Sequence, residues 1–390
     1  MKNTKGFNLI SVILIIVVVA VIAGVTTGII MTNSYRTVTT DDEALNEFLR
    51  VYNELVDSYY EDVDKTQMLN KAKDAMLDYL GDPYTTYLNS EERKALEDRL
   101  NGTYKGIGVS FVDKTIVDVM KDTPASKAGL QKGDVFVKID NKLVESLSDT
   151  QISNLIKNSG KDVVKVVVLR GEEEKEFTIE VKTVTEKVVV SEKIKDTNIG
   201  YISVPIFSKT ISQQVEEALL ELENDGIESL ILDLRDDSGG YLDQAQDLAS
   251  LFLEKGKLIY SLENKNARDD YFDQTDTKRE YDIVILINGN SASAAEILAA
   301  ALKDSYGATL VGTKSYGKGK VQQTFTLSDG SMAKYTSAKW FRPDGTCIDE
   351  VGITPDYVVN LEPLLDDNGE QIGNIDTQLE KGIDILSNTD

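Results

Sequence analysis

The sequence predicts an α+β multidomain chain: an N-terminal transmembrane helix, a helical N-terminal region, a β-rich middle domain and an α/β domain. Three observations carry this reading. An uncharged apolar run covers Leu9 to Met31. From about Tyr104 to Thr183, short strands and glycine-bearing turns replace helical periodicity. From about residue 184 onward, β-prone apolar runs alternate with helical patterns, which predicts a mostly parallel sheet.

Composition narrows the chemistry. With 390 residues, 41% of them apolar, the chain can build more than one core. Its net charge of −24, from 42 basic and 66 acidic residues, is spread along the chain. Nucleic acid, which needs a basic face, is not an expected partner. Cys347 is the single cysteine, so no disulfide or thiolate metal cluster can form within the chain. Histidine is absent. That excludes a Ser-His-Asp triad, a Cys-His pair and His-ligated zinc. A nucleophile here needs another base, and a desolvated lysine is the obvious candidate.

Residues 1–8, with Lys2 and Lys5, precede the apolar run 9–31. As a helix the run spans roughly 34 Å, enough for a bilayer core of about 30 Å. Lysines before it and Asp41, Asp42 and Glu43 after it predict a cytoplasmic N-terminus and an extracytoplasmic remainder. Cleavage near Val21-Ile22-Ala23 as a signal peptide is the alternative. Within 32–100, a capping box at Thr40 and Glu43 opens one amphipathic helix, and Met68 to Leu80 forms a second, stopping at Gly81-Asp82-Pro83. Their apolar stripes predict packing on another domain or a second subunit.

Residues 101–183 contain Gly106-Ile107-Gly108-Val109, Pro124-Ala125-x-x-Ala128-Gly129-Leu130 and Gly133-Asp134. This pattern resembles a PDZ domain. Free N–H groups at a glycine-rich strand start can take a peptide's terminal carboxylate, and the strand edge can add the peptide as a further strand. Tyr104, Lys105, Gly106, Ile107 and Gly108 are the carboxylate-loop candidates.

Residues 184–390 carry three chemically suggestive stretches. Ile283 to Ile287 is a buried strand that feeds Asn288-Gly289-Asn290-Ser291-Ala292-Ser293 and then an alanine-rich helix. A hydroxyl at such a junction can meet a carbonyl beside free backbone N–H groups, although Ser293 with Glu296 also reads as a helix cap. Asp233-Leu234-Arg235-Asp236-Asp237-Ser238-Gly239-Gly240 ends another buried strand in a polar turn. Ser315-Tyr316-Gly317-Lys318-Gly319-Lys320 sets a lysine between glycines. Glu263 to Glu280 is polar and reads as a surface excursion. Trp340 is expected in the core, and the helical pattern Thr377 to Leu386 is expected to pack on it.

These stretches, in order after the PDZ-like domain and followed by Val351-Gly352-Ile353-Thr354-Pro355-Asp356, resemble the carboxyl-terminal processing (tail-specific) proteases of the S41 serine-protease family. The run Gly81-Asp82-Pro83-Tyr84-Thr85-Thr86-Tyr87-Leu88 belongs to the same resemblance. The resemblance implies a crotonase-like α/β protease core over 184–390 and a Ser-Lys catalytic pair. Ser293 is then the nucleophile, Lys318 the general base and Gln322 the residue that orients it. Ala294 N–H is one oxyanion donor, and Gly239 or Gly240 supplies the other. The family often has Asn-Asn-Pro-Gly-Gly where this chain has Asp236-Asp237-Ser238-Gly239-Gly240, and both carboxylates are expected to face solvent. The resemblance further implies polypeptide substrates with apolar C-termini, gating by the PDZ-like domain, homo-oligomerisation through the N-terminal helices, and no metal or organic cofactor. A non-catalytic peptide-binding or adaptor protein, and an acyl-CoA-type enzyme, are the alternatives.

Overall fold

The computed structural model describes residues 42–157, 162–276, 278–365 and 371–388. The expected anchor 9–31 and the Thr40 cap lie outside them. Among the described residues, no helix is long and apolar enough to cross a membrane. Two units separate, one up to Met76 and one from Leu77 onward. In the first, helix α1 (Glu43–Ser58) starts on Asp42, whose carboxylate accepts the Ala44 N–H at 3.0 Å. Phe48, Leu49, Val51 and Leu55 lie exposed along it.

In the second unit, helix α2 (Ser90–Asn101) runs from an Asn89–Glu92 capping box to Gly102. A six-stranded antiparallel sheet follows, built from Val109–Val112, Thr115–Val119, Val135–Ile139, Lys142–Leu143, Val163–Arg170 and Glu173–Glu180. Its alternating burial closes over Asp149–Lys157, with Ile116, Phe136, Ile152, Val164, Val166 and Val168 inside. The ladder Thr103–Gly106 with Lys182–Thr185 brings the entrance and exit of this domain together.

The second half is organised by a six-stranded sheet: β1 (Val190–Lys193), β2 (Ile199–Ser203), β3 (Ser229–Asp233), β4 (Asp282–Ile287), β5 (Thr309–Gly312) and β6 (Tyr357–Val358), in that order. Only the β1–β2 pair is antiparallel. β3 is buried throughout and β4 nearly so, because helices cover both faces of a parallel sheet. On one face lie α3 (Ile211–Asn224), α4 (Leu242–Ala249) and α5 (Ala294–Ala301). Helix α6 (Thr377–Ser387) places Leu379, Ile383 and Leu386 against Ile231, Val284 and Leu286 on the other.

A second, antiparallel sheet holds Thr86–Leu88, Met332–Phe341, Leu258–Glu263 and Arg268–Phe272, with Lys320–Thr326 paired to Met332–Phe341. Part of the polar segment 263–280 is therefore a strand, not an excursion. Its turn closes through Asn264 N–H to Ala267 O at 3.0 Å, and Tyr271 stacks on Tyr260 at 4.6 Å. Arg268, Asp269 and Asp270 hid it because charges are common on an edge strand. Trp340 is buried in the core.

Candidate active site

The ends of β3 and β4 are stitched together by the polar residues that follow them. Asp236 accepts the side-chain amides of Asn288 (2.9 Å) and Asn290 (2.7 Å), and donates its own N–H to Asn288 Oδ1 at 3.0 Å. Ser291 is fully buried; its Oγ donates to Leu234 O at 2.7 Å and accepts the Asn288 N–H at 2.9 Å. Ala292 N–H donates to Asp237 O at 2.9 Å. Ser291 is thus consumed in the turn.

Ser293, two residues on, is the N-cap of α5 with φ 56° and ψ −116°. A non-glycine residue at positive φ carries strain and persists only where its surroundings hold it. Here the holder is Glu296, whose Oε2 accepts the Ser293 N–H at 2.9 Å. Ala294 follows, buried, with its N–H in the first helical turn, where no intrahelical acceptor exists.

Glu296 does more than cap. Fully buried, it accepts Ser315 Oγ at 2.6 Å and Gly317 N–H at 2.7 Å on Oε1, and on Oε2 the Lys318 N–H at 2.9 Å beside that of Ser293. Burial pushes its carboxyl up from the ordinary range, while these four donors pull it back. One carboxylate oxygen therefore ties the backbones of Ser293 and Lys318 together. The S-x-x-E spacing shows only the local half of this arrangement.

The Lys318 carbonyl accepts the Trp340 indole N–H at 2.9 Å. Glycine is required next to it, because a Cβ on Gly319 would come within 2.6 Å of Asp349 N. Lys318 Nζ lies 4.9 Å from the centroid of the Tyr84 ring. Among the described residues it makes no ion pair. Burial, and then the charge of Lys334, lower its pKa, against smaller opposing pulls from Glu296 and Asp82. The shift is toward the neutral amine. Tyr84 itself is pushed up to about 12, first by burial and then by its bond with Tyr316.

Gln322 turns its amide N–H groups to Lys320 O and Thr336 Oγ1, each at 3.2 Å, rather than to Lys318. Thr336 Oγ1 and Thr85 Oγ1 both donate to Asp82 Oδ2 at 2.6 Å. Asp82-Pro83-Tyr84-Thr85 is thereby a supporting layer behind Lys318 and Gln322. No sequence signal gave that run a place at the site, because more than 200 residues separate the partners.

The two glycines of the facing turn have different neighbours. A Cβ on Gly239, where φ is +93°, would meet Ala292 O, Ser293 Cβ and Ala294 N within 2.7–3.0 Å; one on Gly240 would meet the Phe207 backbone. Gly239 N–H donates to Asp237 Oδ1 at 2.7 Å. Asp236 faces solvent, but Asp237 is fully buried, which overturns the expectation that both carboxylates point outward. The reason is local: Asp236 adopts φ 60° and takes the Asn288 and Asn290 amides, which turns the next side chain inward. Ser293, Gly239, Gly240, Lys318 and Gln322 line one cleft of about 1690 Å³.

In the β-rich domain, Gly106, Ile107 and Gly108 are buried, while Lys105 is exposed. The Tyr104 ring stands over Gly106, and its hydroxyl donates to Met120 Sδ at 3.9 Å. The loop proposed to receive a carboxylate thus holds a side chain of its own. Burial, then Glu186, raise the Tyr104 pKa.

Comparison with known proteins agrees with this architecture. Residues 198–359 match peptidase family S41, 115–170 a PDZ domain and 26–92 the N-terminal domain of the activating protease CtpB. The chain is 33% identical over 357 residues to carboxy-terminal processing protease CtpA of Bacillus subtilis, covering 89% of this chain and 76% of that protein. It is 34% identical over 328 residues to a probable CtpA-like serine protease of Staphylococcus aureus, covering 82% of this chain. It spans 66% of the length of that relative. A photosystem II D1 C-terminal processing protease is similar at 26% identity and TM-score 0.49, over 80% of this chain and 86% of that one. With a Bacillus relative matched over most of both chains and the S41 and PDZ models matched in order, the chain belongs to peptidase family S41, among the CtpA-like carboxy-terminal processing proteases.

Proposed function

We propose that the chain is a membrane-anchored, extracytoplasmic serine endopeptidase that recognises substrate C-termini through its PDZ domain and hydrolyses peptide bonds through an acyl-enzyme. The observation that carries this is the Glu296 clamp, which fixes a strained serine and a desolvated lysine on one cleft. Neutral Lys318 takes the proton of Ser293 Oγ as that oxygen attacks the scissile carbonyl. Ala294 N–H and the Gly239-Gly240 turn receive the oxyanion. The ammonium of Lys318 then protonates the leaving amine, and water releases the acyl group. Gln322 braces the strand that follows Lys318, through its bonds to Lys320 O and Thr336 Oγ1. Anchoring rests on the run Leu9 to Met31 and its flanking charges.

The test uses the full chain in detergent micelles with an unfolded protein ending in apolar residues, and the same protein with an amidated tail. Cleavage is expected, and slower cleavage of the amidated form. No cleavage anywhere in a series from mildly acidic to alkaline pH contradicts the enzyme reading. Equal rates contradict tail recognition alone. The sign of the pH dependence follows from the base: protonated Lys318 cannot accept the serine proton. Activity is therefore expected to fall as pH drops through the lysine's lowered pKa.

A further inference from the structure

Asp237 is a buried carboxylate beside the site that the proposed mechanism does not use. It is fully buried, and its Oδ2 has no hydrogen-bond partner. Its Oδ1 holds the N–H of Gly239, the glycine that packs directly on Ser293 and Ala294 N. Among the described residues, no cation forms an ion pair with it. Arg99, from α2, donates to Ser238 Oγ at 3.1 Å, and its charge pulls the Asp237 carboxyl down against the larger push of burial. Asp236, next in the loop, is tied to Asn288 and Asn290. On the helix side, Glu296 binds Ser293, Ser315, Gly317 and Lys318, and Lys318 Nζ sits over Tyr84. A buried oxygen with neither hydrogen-bond partner nor ion pair is far more costly ionised than neutral.

We propose that Asp237 is a positioning residue of the oxyanion loop and that it works as the neutral carboxylic acid. This rests on the reading that the Gly239-Gly240 turn serves the oxyanion of an acyl transfer at Ser293. Ionised, Asp237 opposes turnover in two ways of the same sign. It sets a negative charge against the loop where negative charge must develop. It also holds Gly239 N–H in a charge-assisted bond, roughly twice as strong as a neutral one, and so fixes that amide on itself. Neutral, its carbonyl oxygen keeps the shape of the turn without the charge. Burial pushes the acid up to about 8, which leaves the neutral form dominant at pH 7.

The experiment compares wild type, Asp237→Asn and Ser293→Ala as full chains across pH. Asparagine keeps the shape and the acceptor for Gly239 N–H but cannot ionise. Wild-type kcat is expected to fall about tenfold for each pH unit above the acid's pKa, and Asp237→Asn to lack that basic limb. An identical basic limb in Asp237→Asn overturns the proposal, as does a folded Asp237→Asn protein without turnover at neutral pH. Ser293→Ala separates the two readings, since hydrolysis that survives in it indicts the proposed function rather than Asp237. An infrared readout does not depend on turnover: the carbonyl stretch of a protonated carboxylic acid should be present in wild type at pH 7 and missing in Asp237→Asn. Its absence from wild type overturns the proposal even if no substrate is ever cleaved.

Discussion

Ser293→Ala is expected to abolish hydrolysis, lowering kcat by about a millionfold, the loss typical of removing the nucleophile from a serine hydrolase. Lys318→Ala should cost a similar factor, because a serine hydroxyl without its base is a poor nucleophile. The double variant should be little worse than either, since the two residues act on one proton transfer. KM should change little, because tail binding is assigned to the PDZ domain. Steady-state kinetics on the full chain check all three. A Ser293→Ala enzyme within tenfold of wild type would remove the proposed nucleophile. Additive losses in the double variant would mean that the serine and lysine do not work on the same step.

Glu296→Gln is expected to have the next largest effect. Oε2 accepts two backbone N–H groups, and Oε1 a hydroxyl and a third N–H. A glutamine NH2 in place of either oxygen faces donors with a donor, leaving buried N–H groups unpaired. Each such loss costs about 1–3 kcal/mol, so a drop of about 2–4 kcal/mol in thermal or denaturant unfolding is expected. Activity should fall by at least about a hundredfold, as misplacing reacting groups by an ångström does. The loss should lie in kcat, and covalent labelling of Ser293 should slow in parallel. A Glu296→Gln protein with wild-type stability and kcat would mean that the carboxylate holds neither backbone.

The parts of this protein that a reader of sequence can reach are those written in neighbouring residues. The parallel core follows from β-prone runs such as Ile283 to Ile287 ending in turns, and its strands pair as that pattern implies. Ser291 and Ser293 are both visible, and only the buried bonds of Ser291 to Leu234 and Asn288 separate their uses. Long-range partners were out of reach. Glu296 reads as a cap because S-x-x-E is local, whereas its bonds to Ser315, Gly317 and Lys318 depend on how β5 returns beside β4. Tyr84 over Lys318, and Asp82 behind Thr336, depend on Thr86–Leu88 joining the second sheet. Asp237 misled for a different reason. Asp, Ser and Gly are turn formers that usually face water, and only the stitching of Asp236 to Asn288 and Asn290 turns its neighbour inward.

The central claim, that Lys318 activates Ser293, is tested most directly by covalent capture. The full-length protein is treated with a serine-directed fluorophosphonate across pH, and the modified peptide is located by mass spectrometry. The account predicts a single adduct on Ser293, forming faster as pH rises through the depressed pKa of Lys318 and nearly absent in Lys318→Ala. An adduct on another serine, or labelling of Ser293 at an undiminished rate without Lys318, would contradict it.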